Sequence, residues 1–413
     1  MASTVLTNIK SLVGAQQDFR LLRGQELSNL PVISNAYLLI EDDVIAGYGP
    51  MQDFAKQKAQ PGNVFDASGQ FVLPAWCDSH THLVFAASRE GEFIDKIKGM
   101  SYAEIAARGG GILNSANKLN ATSEDELFRL AWKRLEEISK LGTGAVEIKS
   151  GYGLSIEGEL KMLRVIKRLK EKSPLLTRST FLGAHSFPLH YKDDHRGYID
   201  MIVKEMLPRI ANEKLADYID VFCESGFFSP AEMEEIVHAG IVYGLKPKLH
   251  VNQLHSIGGI QAGIKLNAIS LDHLETMTKE DISDLAASAS IGTLLPSAAF
   301  FLRMPFQPAR ELINAGAALA LASDYNPGSS PSGNMNFVLS LACIQMKMLP
   351  EEAINAATIN GAYAMGVHHE AGTIATGKKA NLIVTKQIPS LAYLPYAFGS
   401  NLIDRVMING SWI

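Results

Sequence analysis

The 413 residues are 47% hydrophobic and 20% charged, with 38 Lys plus Arg against 43 Asp plus Glu and a formal charge of −5. That mixture excludes an intrinsically disordered chain and leaves no overall positive charge to attract nucleic acid or an anionic membrane. The length accommodates one large α/β barrel with additions, or about two or three ordinary domains.

From the start of the chain, residues 36–41 and 44–46 are apolar-rich runs around Asp42-Asp43, and 64–71 follows Pro61-Gly62; these are strand and turn signals. The same texture returns at 372–385 and 402–413. We therefore expect a small β-sandwich assembled from both chain ends, residues 1–66 and 371–413, flanking a central domain over 67–370. No basic segment followed by a long apolar stretch opens the chain, so no secretory signal is expected. The longest small-apolar stretch, 286–302, is interrupted by Pro296 and several Ser and Gly, and makes a poor membrane span. Cys77, Cys223 and Cys343 are odd in number and far apart, which suits reduced thiols and a cytoplasmic location.

Eight apolar, β-branched-rich runs follow, at 71–76, 145–149, 178–184, 218–223, 248–251, 268–272, 290–295 and 317–322. Helical periodicity separates most of them, at 124–140, 157–172, 230–243, 278–287 and 305–315. Strands alternating with helices make parallel βαβ units, and eight of them form a (β/α)8 barrel of the α/β class; a doubly wound open sheet is the competing arrangement.

The runs finish in residues able to bind a metal, carry a proton or hold a charge: His80 and His82, Lys149, His185, Glu224, His250, His273 and Asp324. Active sites of such barrels lie at these C-terminal strand ends. In DSHTH at 78–82 the two histidines are separated by one residue, so alternation along a strand turns both imidazoles to one face. His250 adds a third imidazole and Asp324 a carboxylate. Three imidazoles, one carboxylate and a bound water suit one zinc or ferrous ion with an exchangeable position. Such an ion lowers the pKa of its water to about 7 and polarises a carbonyl under attack.

The ordered blocks HTHLVFAASR at 80–89, RGGGI at 108–112, EIKSGYGL at 147–154, FLGAH at 181–185, KLH at 248–250, DHLE at 272–275 and ASDYNPG at 322–328 resemble the amidohydrolase superfamily and, within it, the imidazolonepropionase family. The resemblance implies a (β/α)8 barrel with a small β-sandwich, one divalent metal per chain (zinc or iron) and a homodimer. It further implies hydrolysis of 4-imidazolone-5-propanoate, an anionic heterocycle, to N-formimidoyl-L-glutamate.

Carried over residue by residue, it makes His80, His82, His250 and Asp324 the metal ligands. His273, at the end of the sixth run, is then free to act as general base together with Asp324. Arg89 is the bidentate anchor for the propanoate, with Tyr152 offering its hydroxyl to the same carboxylate or to the product and His185 touching the substrate. Asn326, Gly328 and Ser329 contact the glutamyl end of the product. Gln253 stands where some members carry glutamate; an amide cannot titrate, so it can only hydrogen-bond the ring or the water. Lys149 is expected to stay uncarboxylated and to pair with Glu224. Gly109-Gly110-Gly111 lacks the lysine and hydroxyl of a phosphate-binding loop and reads as an active-site loop. The basic stretch 164–172 reads as a solvated helix face, and His368-His369 as surface residues.

Overall fold

The computed structural model describes residues 3–56, 62–100, 104 and 110–413; Arg108 and Gly109 of the glycine run lie outside the described residues. The chain begins with five strands, β1 (Ser3–Val13), β2 (Val32–Glu41), β3 (Val44–Pro50), β4 (Asn63–Asp66) and β5 (Phe71–Pro74). Eight parallel strands follow: β6 (Trp76–Thr81), β7 (Thr143–Lys149), β8 (Leu176–Ala184), β9 (Tyr218–Cys223), β10 (Lys246–Val251), β11 (Ser270–His273), β12 (Ile291–Leu294) and β13 (Ala318–Leu321). The chain closes with β14 (Leu382–Thr385), β15 (Ile403–Ile408) and β16 (Ser411–Trp412).

β6 to β13 pair in chain order, and the first and last meet through a parallel bridge between Thr81 and Tyr325. The closed ring is the (β/α)8 barrel expected from the alternation, so the open sheet is excluded. Its strands are buried along almost their whole length, which is why they read as continuous apolar runs rather than alternating ones. Four of the helices between them begin where side chains satisfy the first free N–H groups: Ser123 caps Glu124–Lys140, Ser155 caps Ile156–Lys172, and Ser229 and Thr278 form capping boxes with Glu232 and Asp281. The helix expected over 305–315 is shorter, Ala309–Ala315, because Pro308 stands at its N-cap.

The remaining strands form the second sheet, in the order β16-β15-β14-β5-β1-β2-β3 with β4 on β1. β14 pairs with β5, Leu382 opposite Pro74, which joins the two chain ends. Leu6, Ile9, Leu38, Ile40, Val72, Leu382, Val384 and Met407 give this small β-sandwich an apolar core of its own. One expectation is corrected here. Residues 71–76 are not one barrel strand: Phe71–Pro74 lies in the outer sheet, and the barrel strand starts at Trp76. Both segments are buried, so one apolar run in the sequence hides the crossing at Ala75, whose N–H reaches Asn381 while that of Trp76 reaches Gly142.

Candidate active site

Ring closure brings the first and last strands of the barrel together at their C-terminal ends. The Asp324 N–H donates to the His80 carbonyl at 3.0 Å, and the His82 N–H to the Tyr325 carbonyl at 2.9 Å. The Ser323 hydroxyl and N–H both donate to the buried Asp78 carboxylate, at 2.6 and 3.0 Å. Burial pushes the Asp78 carboxyl up to about 7 against those two hydrogen bonds.

Inside this frame the imidazoles of His80, His82 and His250 converge, each offering a nitrogen within 4.8 Å of the other two. Asp324 Oδ1 lies 3.5 Å from His80 Nε2 and 3.6 Å from His82 Nε2. Ligand atoms about 2.0–2.1 Å from a tetrahedral ion stand about 3.3 Å apart, so this spacing fits one shared ion. The remaining nitrogens fit it too. His80 Nδ1 is held by Asp272 at 2.7 Å and His250 Nδ1 by Asp220 at 2.8 Å, leaving both Nε2 atoms turned to the centre. His80 Nε2 is buried without a hydrogen-bond partner. Burial first, and the crowding of titratable imidazoles around Lys149 second, hold all three imidazoles well below the usual histidine range, so they are neutral and their lone pairs are available. These residues can hold a divalent metal ion.

Beneath them lies a buried charge network. Lys149 Nζ reaches Glu147 at 2.7 Å, Asp220 at 2.8 Å and Asp272 at 3.6 Å; Lys248 Nζ reaches Glu147 at 2.8 Å. Burial opposes the charge on Lys149, but the three carboxylates outweigh it and keep the group a cation. Glu224, expected to pair with Lys149, does not: it accepts from the backbone N–H groups of Ser225, Leu254 and His255 and from the His255 ring. The reason is positional, since Glu224 follows β9 and faces the loop after β10, whereas Asp220 inside β9 points into the barrel. That clamp fixes the loop carrying Gln253.

His273 ends β11 with its ring centroid 5.1 Å from that of His250, and Glu275 lies 3.4 Å from its Nδ1. Burial lowers its pKa, yet Glu275, Asp324 and Asp272 outweigh this and hold it above the usual histidine value. Burial pushes Asp324 up to about 6 against the pull of His273. His273 (φ 88°) and Asp324 (φ 53°) both hold left-handed backbone, strain that clusters at functional sites.

An inner chamber of about 50 Å3 is lined by His82, His250, His273 and Asp324 together with Tyr152, His185, Gln253, Asn326 and Ser329. It lies against a wider cavity of about 560 Å3 that adds Arg89 and Gly328. All the site residues singled out in the sequence therefore line these two spaces or, like His80, stand directly behind them. The Arg89 Nε donates to Ser115 at 2.9 Å while its Nη2 is buried and unpartnered. A Cβ on Gly328 would collide with Arg89 Nη1, so glycine at that position makes room for the guanidinium. Asn326 shapes the turn by accepting from the Gly328 and Ser329 N–H groups, both at 2.8 Å, and the Ser329 hydroxyl supports Asp324 Oδ2 at 3.2 Å. His185 Nδ1 faces the Gly151 carbonyl at 3.1 Å, and its ring stacks at 5.5 Å from that of His82; burial lowers it to about 4. Tyr152 is held in place from below, where buried Glu159 accepts the N–H groups of Gly151, Gly153 and Leu154 at 3.0, 2.7 and 3.1 Å.

Lys248, Asp272 and Glu275 stand inside the blocks KLH and DHLE without a role read for them there, and neither Asp220 nor Glu159 is marked as a site residue in the sequence. Asp220 carried a signal, a lone carboxylate inside the otherwise apolar strand YIDVFC. His368 is also not a plain surface residue, since its ring stacks on Tyr363 at 3.8 Å.

The model of the amidohydrolase family matches residues 228–413. The imidazolonepropionase of Flavobacterium johnsoniae is 60% identical over 411 residues, covering 99% of this chain and 100% of that protein. The chain belongs to the imidazolonepropionase family. Other relatives of that name are 55% identical in Christiangramia forsetii, covering 99% of both chains, and 40% identical in a Geobacillus strain, covering 94% of this chain and 92% of the relative. Among solved structures, an adenosine deaminase from Xanthomonas campestris with bound zinc has a TM-score of 0.70 at 15% identity, covering 100% of this chain and 92% of that one. E. coli guanine deaminase has a TM-score of 0.71 at 13% identity, covering 100% and 99%. At such identities these two share the fold with the imidazolonepropionases.

Proposed function

We propose that this chain hydrolyses the ring C–N bond of 4-imidazolone-5-propanoate to N-formimidoyl-L-glutamate in histidine degradation. The observation that carries the reading is the buried His80, His82, His250 and Asp324 cluster lying against a cavity with an unpartnered Arg89 donor. One divalent ion per chain, zinc or iron, would be held by those four side chains. When bound, it supplies a Lewis acid for the carbonyl and makes water acidic enough to attack at neutral pH.

The chain's own residues do the rest. Arg89 and the Tyr152 hydroxyl bind the propanoate and turn the ring into the inner chamber, where His185 and Gln253 contact it. Water adds to the ring carbonyl as one of its protons passes by way of Asp324 to His273. The carbonyl C–N bond then breaks, and His273, supported by Glu275, returns the proton to the leaving ring nitrogen. Asn326, Gly328 and Ser329 hold the glutamyl end of the product.

Residues 67–370 form the catalytic domain in this reading, and 1–66 with 371–413 the β-sandwich. A homodimer is supported by the exposed side chains of Phe300, Ile344, Leu349, Tyr396 and Phe398, on or directly beside neighbouring helices. A cytoplasmic location is supported by three unpaired cysteines.

The test is hydrolysis of freshly prepared 4-imidazolone-5-propanoate by purified protein before and after chelation, with metal analysis of the same sample. Metal-dependent formation of N-formimidoyl-L-glutamate supports the reading. A metal-loaded protein that leaves this compound untouched overturns it and turns attention to other cyclic amides.

A further inference from the structure

The helix Glu90–Ile97 follows Arg89 and carries Lys96 in its last turn. Arg89, Glu92 and Lys96 stand at i, i+3 and i+7, one face of a helix, and all three line the wide cavity in front of the inner chamber. Their spacing along the axis, about 10 Å from first to last, is within the combined reach of two long cationic side chains. The face is not balanced. It presents two cations and one carboxylate, a surplus of one positive charge, and His185 beside it is neutral at pH 7. Glu92 is committed elsewhere, with one oxygen accepting the Gly111 N–H at 2.9 Å. Among the described residues no carboxylate comes within 4.0 Å of the Lys96 ammonium. The ammonium is nevertheless half-buried, and burial lowers its pKa more than Glu92 raises it. A partly desolvated cation is costly unless an opposite charge is supplied to it.

We propose that Lys96 is a second cationic contact for the substrate's carboxylate, so that the propanoate is gripped between Arg89 and Lys96 and the cavity selects heterocycles bearing one carboxylate side chain. The assignment rests on the reading of the site given above. It differs in kind from the role of Arg89: the guanidinium is fixed through Ser115 at the cavity wall, whereas the ammonium approaches from the far end of the helix as a point charge. Loading the carboxylate also ties both ends of the helix to the substrate.

The experiment compares metal-loaded wild type, Lys96→Met and Lys96→Arg in binding two stable probes by calorimetry. These are 3-(imidazol-4-yl)propanoate and its uncharged counterpart 4-propylimidazole. Losing a charged hydrogen bond in Lys96→Met is expected to weaken the carboxylated probe about tenfold while the neutral probe stays within about twofold and Lys96→Arg stays near wild type. The proposal is overturned if Lys96→Met leaves the ratio of the two affinities unchanged. That covers both probes binding as before and both weakening alike, the second outcome meaning that the helix has merely moved. Turnover of 4-imidazolone-5-propanoate by the wild type is measured separately. Its absence with the discrimination intact would sink the reaction and keep the carboxylate pocket.

Discussion

The N–H of Asp324 is hydrogen-bonded to the carbonyl of His80 at 3.0 Å, so the seam that closes the barrel is also the seam that joins two candidate metal ligands. Stability of the ring and geometry of the ion site are therefore coupled. Removing the ion with a chelator is expected to abolish turnover and lower the unfolding midpoint, because an ion that binds only the folded state stabilises it by mass action. His250→Ala should lose both metal and activity. Asp220→Asn keeps the shape but weakens the hydrogen bond that orients His250, and should cost about 10–100-fold in metal affinity, read by competition with a chromophoric chelator. An unchanged affinity would mean that Asp220 serves only to balance Lys149.

His273 is assigned to proton handling rather than ligation. His273→Gln should keep the full metal content and lower kcat about 10²–10⁴-fold, with KM changed far less. Metal loss in parallel with activity would make it a ligand instead.

How much of this was legible in the sequence differs from residue to residue. His80 and His82 declare themselves because a strand repeats every two residues, and Asp324 because an apolar run ends on it. The carboxylates that aim the imidazoles are harder to read, since each is a single residue whose partner is on another strand: Asp272 meets His80 and Asp220 meets His250 only once the barrel is closed. The strand boundary at Ala75 was hidden for a different reason, that two sheets bury the run from both sides. Glu159 shows the same limit. Nothing in the helix Ile156–Lys172 marks it as the acceptor of three N–H groups that hold the Tyr152 loop, because the signal is in the loop's backbone and not in its side chains.

Gly328 tests whether Arg89 is held where the propanoate needs it. Gly328→Ala places a methyl group against Arg89 Nη1, and the flexible guanidinium is the group that yields. We expect KM for the carboxylated substrate to rise about tenfold with kcat much less affected, a pattern of lost uniform binding. Arg89→Ala should give the same pattern and a larger rise. The double variant should then add little to Arg89→Ala, because both changes remove one contact. Additive effects would show that Gly328 contributes through its own contact with substrate.

Lys378 provides a pH test far from the metal. Its ammonium donates to the Ala371 carbonyl at 3.1 Å and the Thr373 hydroxyl at 2.7 Å and lies 3.5 Å from the centre of the Phe19 ring, with Cys77 and His368 the titratable groups facing it. Burial lowers its pKa from 10.5 to about 8 in the folded protein, with Cys77 opposing weakly. Between those two values the unfolded chain binds more protons than the folded one, so stability gains a positive slope with pH there and none below. The urea midpoint of wild type minus that of Lys378→Met should thus be flat below pH 8 and rise from about 8 to 10.5. A difference that stays level across this window would show that the folded lysine keeps its proton, held by the Phe19 face and two oxygen acceptors strongly enough to offset burial.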